Sequence, residues 1–172
     1  IFSDFSMINV YENSHTTKPL FYKISGTWGN HEGSLLLWTN ILVIFSYLFL
    51  ILTKNKNKNF KILTLIFQNF LISVFFIFLL TNSNPFSPIF PTPSEGLGLN
   101  PILQDPALAI HPPLLYVGFV GSSIYFSAAL AALISKVEAG SLAITIKPWV
   151  SVSWFFQTLG ILVGSIWAYY EL

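Results

Sequence analysis

Four long apolar segments without a charged side chain set the strongest limit on how this chain of 172 residues can fold. A helix needs roughly 20 apolar residues to cross a bilayer, whereas a transmembrane β-strand needs about half as many. The four segments therefore predict transmembrane helices over approximately residues 33–53, 62–80, 114–135 and 149–170. We expect an all-α fold, a polytopic integral membrane helical bundle of about four spans that forms a single membrane domain over residues 1–172.

Composition agrees with a membrane protein and excludes several kinds of chemistry. Hydrophobic residues make up 53% of the chain and charged residues only 9%, too few polar groups to cover a water-soluble domain. The chain has no cysteine, which excludes disulfides, thiolate metal sites and a thiol nucleophile of its own. A proton-channel subunit would need ionisable groups within its spans, and the four segments contain no charged residue.

Lysine placement predicts the orientation. Lys54, Lys56, Lys58 and Lys61 crowd the first connection, whereas the 81–113 connection has no lysine. Because positive loops stay on the matrix or cytoplasmic side, the 81–113 loop, the N-terminal segment and the C-terminus should face the intermembrane space or periplasm. All eight basic residues are lysine, and Phe, Ile and Asn are abundant, a bias that is expected of an AT-rich genome and indicates an organellar gene. We expect a mitochondrial inner membrane location; a bacterial inner membrane with a periplasmic loop is the alternative.

Prolines concentrate in the 81–113 loop, which contains eight of the ten in the chain. The loop is apolar, long and fixed by proline, so we interpret it as an ordered cap on the outer membrane face rather than a disordered linker. A lipid-facing spacer is the alternative. Proline suits the first turn of a helix, so Pro113 and Pro148 are expected to begin the third and fourth spans.

His111 lies directly before Pro112 and Pro113, at the predicted start of the third span. A histidine there either makes an ordinary hydrogen bond or binds a metal through a neutral ring nitrogen. Asp105 lies six residues earlier. Its carboxylate could orient a ligating imidazole from the second coordination sphere, or it could bond its own backbone in the turn, which we favour.

Two further histidines lie on the same predicted side. His31, in "WGNHEGS", is a weaker candidate for cofactor binding, and we favour a structural role in which it caps the first span through backbone or Glu32. His15 has no motif around it and is expected to be solvated.

Tryptophans at span edges usually anchor a helix at the membrane interface, which predicts this role for Trp28, Trp149 and Trp167. Trp38 and Trp154 lie further inside and are expected to pack against other helices.

Small and uncharged polar residues within the spans predict helix contacts. Small residues four apart favour close approach of helices, and the amides within spans are expected to bond across helices. The small pairs are Gly118 with Ser122, Ala128 with Ala132 and Gly160 with Gly164, and the amides are Gln68, Asn69 and Gln157.

Three strings carry a family resemblance: "WGNHEGSLLLW", "FPTPSEGLGLNPILQDPALAIHPPLLYVGFVG" and "GILVGSIWAYYEL". With them the chain resembles the CcmF-type haem lyase of the cytochrome c maturation system, over about Ser3 to Leu172 and as its N-terminal portion. The resemblance implies a protein that joins haem to the two CXXCH thiols of apocytochrome c on the outer side of an energy-transducing membrane.

The resemblance also implies a site. The family's first flanking histidine falls on His111, which would be one axial ligand of the iron of a transiently bound substrate haem b. It assigns no established role to His31, and we expect no catalytic acid or base in this chain.

The family continues past the string that ends here at Leu172 into a tryptophan-rich haem-binding segment and a second flanking histidine. We therefore expect a fragment of a larger protein, or the split mitochondrially encoded form, able to act as a haem lyase only with the missing segment or partner chain. The expected partners are the remaining haem lyase polypeptide, a haem chaperone, apocytochrome c and the lipid bilayer, with no nucleic acid. A structural membrane subunit of a respiratory or assembly complex, without chemistry of its own, is the alternative function.

Overall fold

A computed structural model describes residues 2–53 and 57–171, and these ranges contain helices and no β-strand. Two short helices and two 3-10 turns, Gly26–Trp28 and Pro101–Leu103, accompany the long helices. The helices are α1 (Ile8–Asn13), α2 (Leu20–Ser25), α3 (His31–Leu52), α4 (Lys58–Asn82), α5 (Pro106–Phe119), α6 (Ser122–Ser135) and α7 (Ala139–Glu171). Lys54 and Lys56, which the predicted orientation uses, lie outside the described residues.

Among the described residues, four helical segments are long and apolar enough to cross a membrane: His31–Leu52, Lys58–Asn82, Pro106–Ser135 and Ala139–Tyr170. The third combines α5 and α6, which are separated by Val120 and Gly121. This arrangement confirms the predicted all-α, polytopic helical bundle, and the chain is a multi-pass membrane protein.

The predicted beginnings of the third and fourth spans are wrong. Helix α5 begins at Pro106 and contains Pro112 and Pro113 in its interior, and Pro148 lies inside α7. An internal proline loses one hydrogen bond, whereas ending the helix would leave several backbone groups without partners in an apolar environment. The helices therefore continue through their prolines.

The chain divides into two compact units, which we describe separately. The loop unit comprises Ile1–Leu37, Ile77–Pro113 and Ile161–Leu172. The bundle unit comprises Trp38–Phe76 and Leu114–Gly160.

Aromatic side chains form the core of the bundle unit. Phe49 is fully buried, and its ring lies 6.4 Å from that of Phe60 and 5.7 Å from that of Trp149. Phe45 contacts the same indole at 5.9 Å. Only 7% of Trp149 is exposed, so the prediction that it anchors the membrane interface is wrong: its ring is taken up by packing with two phenylalanines of α3.

The two tryptophans that were expected to pack differ from each other. Trp38 stacks on Phe75 at 5.3 Å and contacts Tyr116 and Phe119 at 5.5 Å each, which confirms its packing role. Trp154 is 69% exposed, so the same prediction is wrong for it within the described residues. Both tryptophans lie inside their predicted spans. They differ because Trp38 lies on a packed face of its helix and Trp154 on an exposed face.

One polar group is buried in the bundle unit with its hydrogen bonds made. The side-chain nitrogen of Gln68 donates to Ser123 Oγ at 2.8 Å and to the Leu42 carbonyl at 3.4 Å, and its oxygen accepts from Ser127 Oγ at 3.0 Å. The predicted bonding across helices is confirmed for Gln68. It is wrong for Asn69, which is exposed because it lies on the next face of α4.

Small residues allow close approach of α5 and α7, as predicted. A Cβ atom built on Gly118 would lie 2.7 Å from the Gln157 Cα, and one on Gly160 would lie 2.9 Å from the Leu115 backbone nitrogen. The Gln157 side-chain oxygen is buried without a hydrogen-bond partner among the described residues, so its predicted bond across helices is wrong. Helices α5 and α7 therefore meet through close backbone contact rather than through a hydrogen bond of Gln157.

Backbone hydrogen bonds tie the 81–113 loop to the N-terminal segment of the loop unit. Ile8 donates to the Ser87 carbonyl at 3.0 Å, and Ile89 donates to the Ser6 carbonyl at 2.8 Å. Further along, Leu97 donates to the carbonyl of Tyr11 at 2.7 Å. The loop thus has a defined path along the N-terminal segment, in agreement with the predicted ordered loop.

Candidate functional site

His111 is the sixth residue of α5 and is half-buried in the loop unit. The prediction that it stands at the head of the helix is therefore wrong, since the turn from Pro106 precedes it. Two prolines follow it directly within the same helix. Because proline fixes its own φ angle and restricts the residue before it, the backbone at His111 has little freedom.

The imidazole of His111 lies against Gly164 of α7. A Cβ atom built on Gly164 would lie 2.6 Å from Nδ1 of that ring, closer than a real Cβ atom approaches, and 3.2 Å from Nε2, a tight contact. The ring therefore occupies the space that any other residue at position 164 would fill. The backbone of α7 forms one wall of the histidine's surroundings.

A tryptophan supports the same turn of α5. Pro113 has no N–H to donate to the carbonyl four residues before it, that of Ala109. The indole Nε1 of Trp28 donates to this carbonyl at 3.0 Å, and Ala109 is 4% exposed. Trp28 thus satisfies a buried acceptor that the proline leaves open, while its role as an interface anchor stays a prediction.

Asp105 caps α5. Its Oδ1 accepts a hydrogen bond from the Leu108 backbone N–H at 2.9 Å, three residues along the chain. Such a cap satisfies one of the free N–H groups at a helix start. The favoured role in bonding its own backbone is confirmed, while a contribution to the orientation of His111 stays a prediction.

His31 opens α3, but it does not cap it. The cap is Asn30, whose Oδ1 accepts from the Gly33 backbone N–H at 3.0 Å. Nδ1 of the exposed His31 ring pairs with Ser83 Oγ at 2.8 Å, just beyond the last residue of α4. The capping prediction is wrong because the neighbouring amide oxygen meets the helix start, which leaves the imidazole to join α3 to the end of α4.

His15 belongs to a second group of contacts, which we call the latch: His15, Thr16 and Glu95. The hydroxyl and backbone N–H of Thr16 both donate to the Glu95 carboxylate, the latter at 3.0 Å, and His15 Nε2 lies 3.9 Å from it. The Thr16 hydroxyl is the main cause that lowers the pKa of Glu95 to about 2. The expectation that His15 is simply solvated is wrong, since its Nδ1 also pairs with Thr17 Oγ1 at 2.9 Å.

The described residues bring no three His, Cys, Asp or Glu side chains together in a way that would hold a metal ion. His111, His31 and His15 each have separate surroundings.

Sequence reasoning missed the contacts of Gly164 and Trp28 with the region around His111. The spacing of Gly160 and Gly164 indicates a helix contact, but nothing in the spacing says which side chain fills the gap. The signal for Trp28 was the second proline, whose missing N–H predicts an orphan carbonyl at Ala109 without naming its donor. Both contacts join parts of the sequence that are far apart.

Comparisons with known proteins identify the family. The family model described as "Cytochrome C assembly protein" matches residues 28–172. The chain is 52% identical to the "Cytochrome c-type biogenesis protein CycK" of Bradyrhizobium diazoefficiens, over 99% of this chain and 26% of that protein. It is 42% identical to the "Cytochrome c-type biogenesis protein CcmF" of Escherichia coli, over 100% of this chain and 27% of that protein.

A third relative is the "Cytochrome c-type biogenesis protein NrfE" of Haemophilus influenzae, which is 43% identical over 98% of this chain and 27% of its own length. No solved structure matches the chain. The chain spans about a quarter of the length of these curated relatives. The match to the family model and these identities confirm the resemblance found in the three strings: the chain belongs to the cytochrome c assembly protein family, as a CcmF-type member.

Proposed function

We propose that this chain acts in the covalent attachment of haem to apocytochrome c, and that His111 supplies one axial ligand to the haem iron. A role in cytochrome c maturation follows from the family. The haem chemistry is the more specific part of the proposal. The observation that supports it is the placement of His111 in a rigid turn of α5, against the backbone of Gly164.

The chemistry of His111 and the support of its backbone favour the ligand role. A neutral imidazole binds haem iron well through one ring nitrogen. The adjacent prolines restrict the backbone, and Trp28 satisfies the carbonyl that one of them leaves open, so the side chain projects from a supported turn. A ligand held in one orientation loses less conformational entropy when the iron binds.

In the proposed reaction this chain contributes position. Each thiol of apocytochrome c adds across a haem vinyl group: a carbon–sulfur bond forms, and the thiol proton ends on the other vinyl carbon. The step needs no net oxidant or reductant, and it gains from holding the reactants at high effective concentration. Coordination at His111 would hold the iron at one place on the protein, and the partner segment that stacks on the macrocycle would set the direction of the vinyl groups.

The partners in this proposal are a haem chaperone, apocytochrome c and the polypeptide that provides the tryptophan-rich platform and the second histidine. The substrate is haem b, bound transiently. The relatives compared above come from bacteria, which supports an inner membrane location, with the 81–113 loop in the periplasm. A mitochondrial inner membrane, with that loop in the intermembrane space, stays a prediction from the AT-rich composition and the split form of the family.

The orientation is part of the proposal. Lys58, Lys61, Lys136 and Lys147 lie in or beside the connections α3–α4 and α6–α7, whereas His111 and the latch lie in the loop unit. If the positive loops lie on the inner side, the 81–113 loop lies on the outer side, where apocytochrome c would be met. A membrane-impermeant thiol label on a cysteine introduced at exposed Phe90 should react from the outer side, and labelling from the inner side alone would overturn this orientation.

The test of the ligand is His111→Ala in membranes that express this chain with the other cytochrome c maturation proteins. We expect haem bound per lyase to fall by about tenfold or more, because the iron loses an axial ligand, together with the yield of c-type cytochrome. Added free imidazole should restore part of the bound haem. The measurements are the haem-to-protein ratio and the Soret spectrum.

His15→Ala is the matched control, because this histidine lies in the same unit but pairs with Glu95. Bound haem should be unchanged in that variant. Unchanged haem and cytochrome yield in His111→Ala would instead support a structural membrane subunit without chemistry of its own.

A further inference from the structure

We propose that Gly164 is a positioning residue for the haem ligand His111, and that its lack of a side chain sets where the imidazole presents its nitrogen. This inference rests on the proposed function, because it matters only if His111 binds iron. Gly164 lies on α7, whereas His111 lies on α5, and the two helices are distant in the sequence.

The geometry is specific to the ring. Three imidazole atoms, Cε1, Nδ1 and Nε2, are the nearest atoms to the point where a Cβ of residue 164 would stand. Both nitrogens are among them, at 2.6 and 3.2 Å. A methyl group there would have to displace the ring itself, because the backbone of His111 is held by the two prolines behind it.

Other glycines of the same helices do not share this relation. Gly118 meets the backbone of Gln157, and Gly160 meets Leu115, so both serve contact between helices. Gly140, near the start of α7, has nothing within 4 Å of a built Cβ. These glycines provide controls in which the same substitution disturbs packing without touching the imidazole, or disturbs nothing.

Displacement of the ring should be costly for ligation. Iron–imidazole bonding needs the ring nitrogen at a defined distance and direction, and a misplacement of about 1 Å in a preorganised site costs up to about a hundredfold in function. Gly164→Ala should therefore reduce bound haem by about tenfold or more and shift the Soret band, while Gly140→Ala leaves both unchanged.

Chemical rescue separates positioning from general packing. In a His111→Gly background, free imidazole should enter the vacated space and restore haem binding. The double variant His111→Gly with Gly164→Ala should lose this rescue, because the new methyl group occupies the place of the added imidazole. The double variant of His111→Gly with Gly118→Ala should keep it, relative to its own level without imidazole.

The experiment measures haem per lyase and the Soret spectrum in membranes that contain the assembled maturation proteins, with chain abundance followed by immunoblot. If Gly164→Ala lowers abundance, Gly164→Ser at reduced growth temperature and the rescue experiment provide the same comparison. Loss of haem in His111→Ala with full haem binding and unchanged rescue in the Gly164 variants would overturn the positioning role and leave the ligand intact. Unchanged haem in His111→Ala would overturn the proposed function itself.

Discussion

The contacts inside the loop unit differ in kind from the contacts inside the bundle unit. In the bundle unit, rings pack on rings around Phe49, and one amide, Gln68, makes the buried polar bonds. In the loop unit, backbone and side-chain hydrogen bonds join distant segments, such as Trp28 to Ala109 and Thr16 to Glu95. The bundle unit is thus stabilised mainly by apolar packing, and the loop unit also by hydrogen bonds between segments that are distant in the sequence.

The difference matters for function because a side chain that binds a metal must be held in a defined orientation, and burial alone does not provide this. Aromatic packing fills space and tolerates small shifts, whereas hydrogen bonds and close backbone contacts fix an orientation. His111 lies in the unit that has the second kind of contact. The predictions below test this contrast, in order of decreasing expected effect.

The largest effect should come from the aromatic core of the bundle unit. Phe49→Ala removes a fully buried ring that contacts Phe60 and Trp149, and should lower the free energy of unfolding by about 3 kcal/mol, at the low end for buried phenylalanine because lipid replaces water as the alternative environment. Phe70→Ala on α4, 65% exposed, is the control and should change little. Unfolding in detergent–SDS mixtures measures both, and equal losses would contradict an aromatic core at Phe49.

The loop unit should be most sensitive at the carbonyl that Pro113 leaves open. Trp28→Phe removes the indole donor and leaves the buried Ala109 carbonyl unpaired, which should cost about 1–3 kcal/mol of unfolding free energy. Replacement of Pro113 by alanine supplies a backbone N–H to the same carbonyl. The double variant should therefore be more stable than Trp28→Phe alone. Additive losses in the double-mutant cycle would show that the indole bond does not substitute for the missing helix bond.

Gln68, the buried polar residue of the bundle unit, should contribute less to the free energy of unfolding. Gln68→Leu removes bonds to Ser123 and Ser127 and should cost about 0.6 kcal/mol, the average for hydrogen bonds between membrane helices. Asn69→Leu, at the adjacent exposed position, should have no measurable effect on the free energy of unfolding. A larger loss for Asn69→Leu than for Gln68→Leu would reverse the assignment of the two faces of α4.

The smallest effect concerns pH and the latch of the loop unit. The folded pKa of Glu95, about 2, is lower than its ordinary value of 4.5, so its contribution to stability is fully present above about pH 4.5 and is lost as the pH falls through about 2. Thr16→Val removes the main cause of the lowered pKa, so the pKa of Glu95 should rise and the stability change over this pH window should shrink. Carboxyl NMR of Glu95 and acid titration of the unfolding temperature measure both.

Thr17→Val is the control for the latch, because the Thr17 hydroxyl pairs with His15 and makes no bond to Glu95 among the described residues. The pKa of Glu95 should stay near 2 in that variant. A pKa that moves equally in both variants would mean that His15 rather than Thr16 dominates the latch.

Much of the fold followed from the sequence. Uncharged apolar length predicts four membrane helices because a bilayer imposes that length on any helix that crosses it, and the four long helical segments confirm this. Small-residue spacing predicted the close contact of α5 and α7, because only glycine leaves room for another backbone. The family strings carried His111, and the comparisons confirm the family while the ligand role stays a proposal.

The ends and faces of the helices did not follow from the sequence alone. Proline alone does not say whether a helix starts or continues. At Pro113 the helix continues, and the carbonyl that the proline leaves open is satisfied by Trp28, which is distant in the sequence. Trp149, at the edge of its predicted span, is buried, and Trp154, further inside it, is exposed, since burial depends on which helix lies alongside.

The sequence by itself determined that the chain crosses a membrane, that it has no thiol of its own and that its strings belong to a cytochrome c assembly family. The tertiary structure alone decided that the backbone of Gly164 meets the imidazole of His111 and that Trp28 supports the turn beneath it. The physical reason is the distance along the chain over which each effect acts. Length, charge and glycine content act locally along the chain, whereas the surroundings of a side chain depend on segments that meet only after the helices have packed.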